Sequence, residues 1–232
     1  MSKGILFVLS GPSGVGKGTV LDYLMEDYKD INYSVSATTR EPREGEVDGL
    51  DYFFISKEKF DQMKKEDKFL ETARVHGNYY GTPRSYVDDC LERGEDIILE
   101  IDIQGAKQIK EKFDEAVYIF LLPPNYEELK NRLEKRDSET EESLKTRLKN
   151  ASEEISEMEN YDYRIVNDVI ADTVEEVKKV IKKKRNKKKG DKRNGKKDEG
   201  AVGWNSRTAG GPRTDRRDDS EPERYTRSYG KC

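Results

Sequence analysis

The sequence predicts an α/β fold: a parallel sheet flanked by helices, with an inserted subdomain and a helical lid. Three observations carry that prediction. Apolar runs of strand length recur at residues 5–9, 97–101 (broken only by Glu100) and 116–122, and runs without alternation are buried on both faces. Each is followed by apolar residues at helical spacing, the alternation that parallel crossovers require. Between about 33 and 94 that rhythm breaks into a stretch rich in Tyr, Thr and Gly with only short strand-like pieces such as 52–55, which reads as an insertion.

Taken in order, the run 5–9 enters a Gly-rich turn, and Val20, Leu21, Leu24, Met25 and Tyr28 then form one stripe of a helix whose other face carries Asp22, Glu26 and Asp27. After the strand at 97–101 comes a helix with Ala106, Ile109 and Phe113 inward, then the strand at 116–122, stopped by Pro123 and Pro124. Asn125 with Glu128 is a capping-box signature for a helix carrying Leu129 and Leu133; Ser138 with Glu141 repeats it before Leu144, Leu148, Ala151, Ile155 and Met158. A last strand at 164–167 precedes a helix from about Thr173 with Val174, Val177, Val180 and Ile181 inward.

Charge divides the chain near residue 184. Residues 1–184 hold 29 Lys and Arg against 40 Asp and Glu, and residues 185–232 hold 15 against 8, so the net −4 splits into −11 and +7. The segment 185–232 has almost no aliphatic residues to offset its ordering entropy and is expected to be a disordered basic tail. Its charge could dock on nucleic acid or an anionic surface, but such runs are usually simply solvated. Two cysteines in such different regions, Cys90 and Cys232, do not suggest a stapled secreted domain and fit a reducing, cytoplasmic setting. No apolar run approaches the roughly 18 residues of a membrane span.

Gly11, Pro12, Ser13, Gly14, Val15, Gly16 and Lys17 follow most of the Walker A pattern, between a buried strand and an amphipathic helix as that pattern needs. Glycines let successive amides converge on phosphate oxygens, and the helix N-terminus adds partial positive charge. The position that usually supplies a magnesium hydroxyl is Gly18, with the hydroxyl one residue later at Thr19.

Further motifs are Ser36-Ala-Thr-Thr-Arg40-Glu-Pro-Arg43, Asp51-Tyr52, Glu71, Gly77-Asn-Tyr-Tyr80-Gly-Thr82-Pro, Leu99-Glu100-Ile-Asp102-Ile-Gln-Gly105, Arg132, Arg136, Arg147 and Val166-Asn167-Asp168. With the Gly-rich loop they make residues 4 to about 183 resemble guanylate kinase, a P-loop nucleoside monophosphate kinase. The resemblance implies phosphoryl transfer from ATP to GMP, with dGMP also accepted, and Mg2+ accompanying ATP. It implies a core of 1–32, 95–124 and 151–184, an NMP-binding insertion at 33–94 and a lid at 125–150.

The resemblance also assigns roles. ATP would be held by residues 11–19, with Asn167 and Asp168 at the adenine; Lys17, Arg43, Arg136 and Arg147 would serve catalysis. GMP would meet Arg40, Arg43, Tyr52 and Tyr80 at its phosphate, and Ser36, Glu71 and Thr82 at its base, with Glu100 and Asp102 alongside and Asp102 ahead of Glu100 for the metal. The residue chemistry agrees: a phosphate dianion suits planar bidentate cations and hydroxyls, and a carboxylate suits the N1–H and N2–H donors of guanine. On their own, Glu71 reads as a surface glutamate, Arg136 and Arg147 as exposed helix charges, and His76, the lone histidine, as a surface residue. Lys135 and Asp137 stand where the family usually has glycines beside the first lid arginine. A guanylate-kinase-like binding module without catalysis is the competing reading, and the intact Lys17 speaks against it.

Overall fold

Apolar runs without polar interruption have nowhere to go but the middle of a two-sided layer, and that is where they lie. In the computed structural model, which describes residues 3–75, 77–134 and 141–195, β1 (Leu6–Ser10) and β8 (Val117–Leu122) are buried along their whole length. With β2 (Asn32–Ser34), β7 (Ile97–Glu100) and β9 (Tyr163–Val166) they form a five-stranded sheet of order β2-β7-β1-β8-β9, every neighbouring pair parallel.

Helices cover this sheet through the stripes their sequences predict. Val20, Leu21 and Leu24 of α1 (Lys17–Asp27) are buried, as are Ala106 and Ile109 of α4 (Ile103–Lys112). Leu129 and Leu133 of α5 (Tyr126–Glu134) are buried too, and Asn125 Oδ1 caps that helix by accepting from Glu128 N at 2.8 Å. Leu148, Ala151 and Ile155 of α6 (Glu141–Ile155) also point inward. Phe7, Leu9, Val15, Val20, Ile119 and Leu121 join Val174, Val177, Val180 and Ile181 of α7 (Ile170–Gly195) in one core cluster. β1 is central, with β7 on one side and β8 on the other, so the loop after it opens at the sheet's carboxyl edge where the strand order reverses, the usual place for a nucleotide.

The segment after β2 builds a second sheet from β3 (Ala37–Thr38), β4 (Phe53–Phe54), β5 (Phe69–Val75) and β6 (Asn78–Pro83), in the order β4-β3-β6-β5. Two helices also form where the pattern suggested none. α2 (Lys57–Lys65) is nearly all polar, but Ser56 caps it by accepting from Lys59 N at 3.2 Å, and its buried Phe60 stacks on Phe69 at 4.6 Å. α3 (Arg84–Arg93) buries Val87, Cys90 and Leu91 and ends at Gly94 in the left-handed region, a common helix stop.

The last helix departs from expectation at both ends. It begins at Ile170, and helical structure continues through Gly195, past the expected disorder boundary at 185. Lys and Arg are good helix formers, and no proline interrupts this run. The chain divides after Lys182 into two units, Met1–Lys182 and Lys183–Cys232. His76, residues 135–140 with Arg136 and Ser138, and residues 196–232 with Cys232 lie outside the described residues.

Candidate active site

The loop between β1 and α1 is bent through backbone angles that demand glycine. Gly11 has φ +149° and Gly14 φ +81°, and a Cβ would lie 2.6 Å from Leu121 O at the first and 2.6 Å from a Leu133 methyl at the second. Lys17 folds back over the loop, its Nζ donating to the carbonyls of Gly11 at 2.7 Å and Pro12 at 3.2 Å.

Three neighbouring elements brace the loop. Asn167 Nδ2 donates to Val15 O at 2.7 Å, and Arg132 donates to Val15 O at 3.3 Å and Asn167 O at 3.0 Å. From α6, Glu154 Oε2 accepts from Ser13 N at 3.0 Å while Arg147 Nη2 lies 3.4 Å from Ser13 Oγ. Asn167, expected at the adenine, is itself one of these braces. Its side chain is buried, with Nδ2 on Val15 and Oδ1 accepting the hydroxyl of Thr173 from α7 at 3.0 Å, so it ties the loop to that helix. Asp168 is exposed and lines a separate depression with Arg164, Asp172 and Glu176.

A cleft of about 200 Å3 joins this loop to the second sheet; Ser13, Gly14 and Lys17 line it together with Ser36, Tyr52, Glu71, Tyr80, Glu100 and Asp102. Glu71 on β5 is only 4% exposed. Its Oε1 accepts from Thr82 N at 3.1 Å and Thr82 Oγ1 at 2.7 Å. Burial pushes its carboxyl up to about 7, against the pull of the Thr82 hydroxyl, and the Asp102 charge adds to the rise. Thr82, expected at the base edge, is fully buried here and its hydroxyl donates to the Glu71 carboxylate.

Arg40 and Arg43 are not among the residues lining the cleft. Arg40 makes a bidentate pair with Glu46 at 2.8 and 2.9 Å, and its guanidinium lies 5.4 Å from the centre of the Tyr52 ring, which does line it. Arg43 is exposed and donates its backbone N–H to the same Glu46 carboxylate at 2.7 Å. Tyr52 and Tyr80 meet edge to face at 5.9 Å.

A loop built for anions thus shares one cleft with an acid and a tyrosine on a separate sheet, Glu71 and Tyr80, and with Ser36 and Tyr52 just before two of its strands. Residues 3–184 match the family model described as guanylate kinase. The chain is 55% identical over 181 residues to the guanylate kinase of Clostridium tetani, covering 78% of this chain and 86% of that one. It is 51% identical over 182 residues to that of Latilactobacillus sakei, covering 78% and 90%. This chain belongs to the guanylate kinase family. Among solved structures, the guanylate kinase of Anaplasma phagocytophilum superposes with a TM-score of 0.67 at 37% identity, over 79% of this chain and 87% of that one.

A guanylate kinase implies magnesium with its nucleotide, and the residues present fit such an ion. Magnesium takes one or two carboxylates and fills its remaining positions with phosphate oxygens and water. A Cβ at Gly18 would lie 3.7 and 3.8 Å from the two Glu100 carboxylate oxygens, so that acid faces the place where a hydroxyl usually stands. Asp102 is the N-cap of α4, accepting from Gly105 N at 2.8 Å, and burial raises its pKa. Among the described residues no cluster of three or more acidic, His or Cys side chains could hold a metal without the nucleotide.

Two residues close to this guanylate kinase site escaped the sequence reading. Glu154 lies seven residues after Arg147 on one face of α6, and that spacing is the signal that could have found it. Gln108 lies three residues after Gly105 on α4, a position that reads as ordinary solvent-facing helix.

Proposed function

We propose that this guanylate kinase family member transfers the terminal phosphoryl group of ATP to GMP, giving ADP and GDP. One observation carries the reading: a single cleft is lined both by the phosphate loop, through Ser13, Gly14 and Lys17, and by Ser36, Tyr52, Glu71 and Tyr80 from the other sheet side. Phosphoryl transfer asks for two nucleotides held in line, little water, and positive charge along the path of the transferring group.

On the donor side, the amides of residues 11–19 take the ATP phosphates, and Lys17 exchanges the carbonyls of Gly11 and Pro12 for phosphate oxygens. Arg147 and Arg136 offset charge on the transferring group. On the acceptor side, Arg40, Arg43, Tyr52 and Tyr80 take the GMP phosphate, Arg40 exchanging the Glu46 carboxylate for it. Guanine donates N1–H and N2–H to Glu71, with Ser36 completing the base contacts, whereas adenine would set a bare acceptor against that carboxylate. A buried polar group facing the wrong partner costs about 1–3 kcal/mol, enough to select a base. dGMP is included as an acceptor because base and phosphate contacts carry the recognition.

Glu100 and Asp102 would hold the magnesium that accompanies ATP, which would supply charge at the phosphate oxygens. Segment 33–94 acts as the acceptor-binding insertion and 125–150 as the lid. A cytosolic setting is part of the reading, supported by the buried free thiol of Cys90; no helix among the described residues is long and apolar enough to cross a membrane. The test is a panel of GMP, dGMP, AMP, CMP and UMP with ATP as donor. Preference for GMP supports the reading, and failure to form GDP sinks it.

A further inference from the structure

The backbone ladder of the second sheet is irregular at Glu71, whose Oε1 is held from β6 by Thr82 N and Oγ1. β5 and β6 pair at Phe69 with Pro83 and again from Thr72 with Gly81, and the register shifts between the two. One more residue lies on β5 than on β6 in that interval, the arrangement of a β-bulge, which bends a strand and re-aims its side chains. Glu71 stands inside the irregular interval.

α4 supplies what the ladder omits. Gly105, Gln108 and Lys112 follow one another at helical spacing on one side of α4, and each meets the bulged stretch. Lys112 Nζ donates to Leu70 O at 2.5 Å. The Gln108 amide pairs with the backbone of Thr72 as another strand would, Nε2 donating to Thr72 O at 2.7 Å and Oε1 accepting from Thr72 N at 3.1 Å. The residues on both sides of Glu71 are therefore pinned to α4. Gly105 leaves the room between them: a Cβ there would lie 2.5 Å from Glu71 Oε2 and 2.9 Å from its Cδ. The first turn of the helix, which carries Gly105, is capped by Asp102 accepting from Gly105 N at 2.8 Å.

We propose that Gln108 is a positioning residue for base selection: from α4 it clamps the Thr72 peptide of the bulged strand, and so fixes the Glu71 carboxylate in the space that Gly105 leaves empty. Only a side chain with a donor and an acceptor in amide geometry can satisfy both Thr72 groups at once. The inference rests on Glu71 being the acceptor for guanine. It makes base preference depend on a residue that does not line the cleft.

The experiment compares Gln108→Met, which keeps the side-chain length and removes both hydrogen bonds, with Gly105→Ala and Glu71→Gln in the full chain. Steady-state kinetics are measured with GMP and with IMP, whose base lacks the 2-amino group. Gln108→Met is expected to raise KM for GMP about tenfold, lower the GMP-over-IMP preference about tenfold, and leave KM for ATP within about twofold. Gly105→Ala should shift the same quantities by pushing the carboxylate aside. Adding Glu71→Asp to it, which withdraws the acid from the new methyl, should recover part of the preference. If Glu71→Gln abolishes the preference while folded Gln108→Met retains it, the inference is overturned, whatever Gly105→Ala does. A rise in KM for ATP equal to that for GMP overturns it also, since that marks general loosening. Should Gln108→Met not fold, Gly105→Ala with its Glu71→Asp partner decides the matter. Retained preference in Glu71→Gln would instead remove the base-acceptor reading, and this inference with it.

Discussion

Glu71 ties GMP recognition to pH. Burial moves its carboxyl from an ordinary 4.5 up to about 7, a gap equivalent to about 3 kcal/mol of disfavour for the ionised form at ~1.4 kcal/mol per pH unit. An acid raised in this way stabilises the folded chain while protonated. That contribution is whole below about 4.5 and lost as pH rises through about 7, so the nucleotide-free protein should lose thermal stability across that window. Guanine needs the opposite form, because only the carboxylate accepts both N1–H and N2–H. Ionisation near pH 7 leaves roughly a tenth of the acid ready at pH 6 and nine-tenths at pH 8, so the apparent affinity for GMP should rise about tenfold between them. Binding at pH 7 should release about half a proton, measurable by titration calorimetry in two buffers of different ionisation heat. The phosphate of GMP titrates near pH 6 as well, and the Glu71→Gln profile isolates that part. Identical pH profiles for the parent chain and Glu71→Gln would refute the reasoning.

Other outcomes follow from the same geometry. Lys17→Ala should lower kcat by about 10² to 10³ in a coupled ADP-release assay while leaving the melting temperature nearly in place, since it removes charge at the phosphates rather than packing. Asn167→Ala deletes the bonds to Val15 and Thr173; it should raise KM for ATP and destabilise by about 1–3 kcal/mol in urea unfolding. Leu121, fully buried in β8, should lose about 2–5 kcal/mol on truncation to Ala, read as a fall in melting temperature of roughly 4–20 °C. Deleting 185–232 should leave GMP phosphorylation as it was, and a large loss would show that the basic segment serves the reaction.

What could be read from the chain depended on whether its signal was local. The runs that became β1, β7 and β8 announced themselves because apolar residues without alternation fit a doubly covered sheet, and the stripe Val20, Leu21, Leu24 fits a helix upon it. α2 stayed hidden because Phe60 is its one buried residue, and a single aromatic has no period. β5 stayed hidden because Glu71 and the bulge beside it interrupt the alternation a strand should show. Of the residues suggested by the resemblance, Ser36, Tyr52, Glu71, Tyr80, Glu100 and Asp102 do share a cleft with Lys17. The bond from Asn167 to Val15 was not legible, because its partner carbonyl comes from 152 residues away. Gln108 carries its meaning only through backbone groups distant in sequence, which no local pattern records, and Glu154 leaves only its seven-residue spacing from Arg147 as a trace.

The Ser13 amide already has an anion for company, the Glu154 carboxylate, and the Arg147 guanidinium approaches the same residue from the same helix. An incoming group that claims this N–H must therefore trade places with a negative charge instead of entering an unoccupied seat. Affinity measured there is the difference between two occupants, and weakening the resident one is as direct a way to tighten binding as improving the visitor.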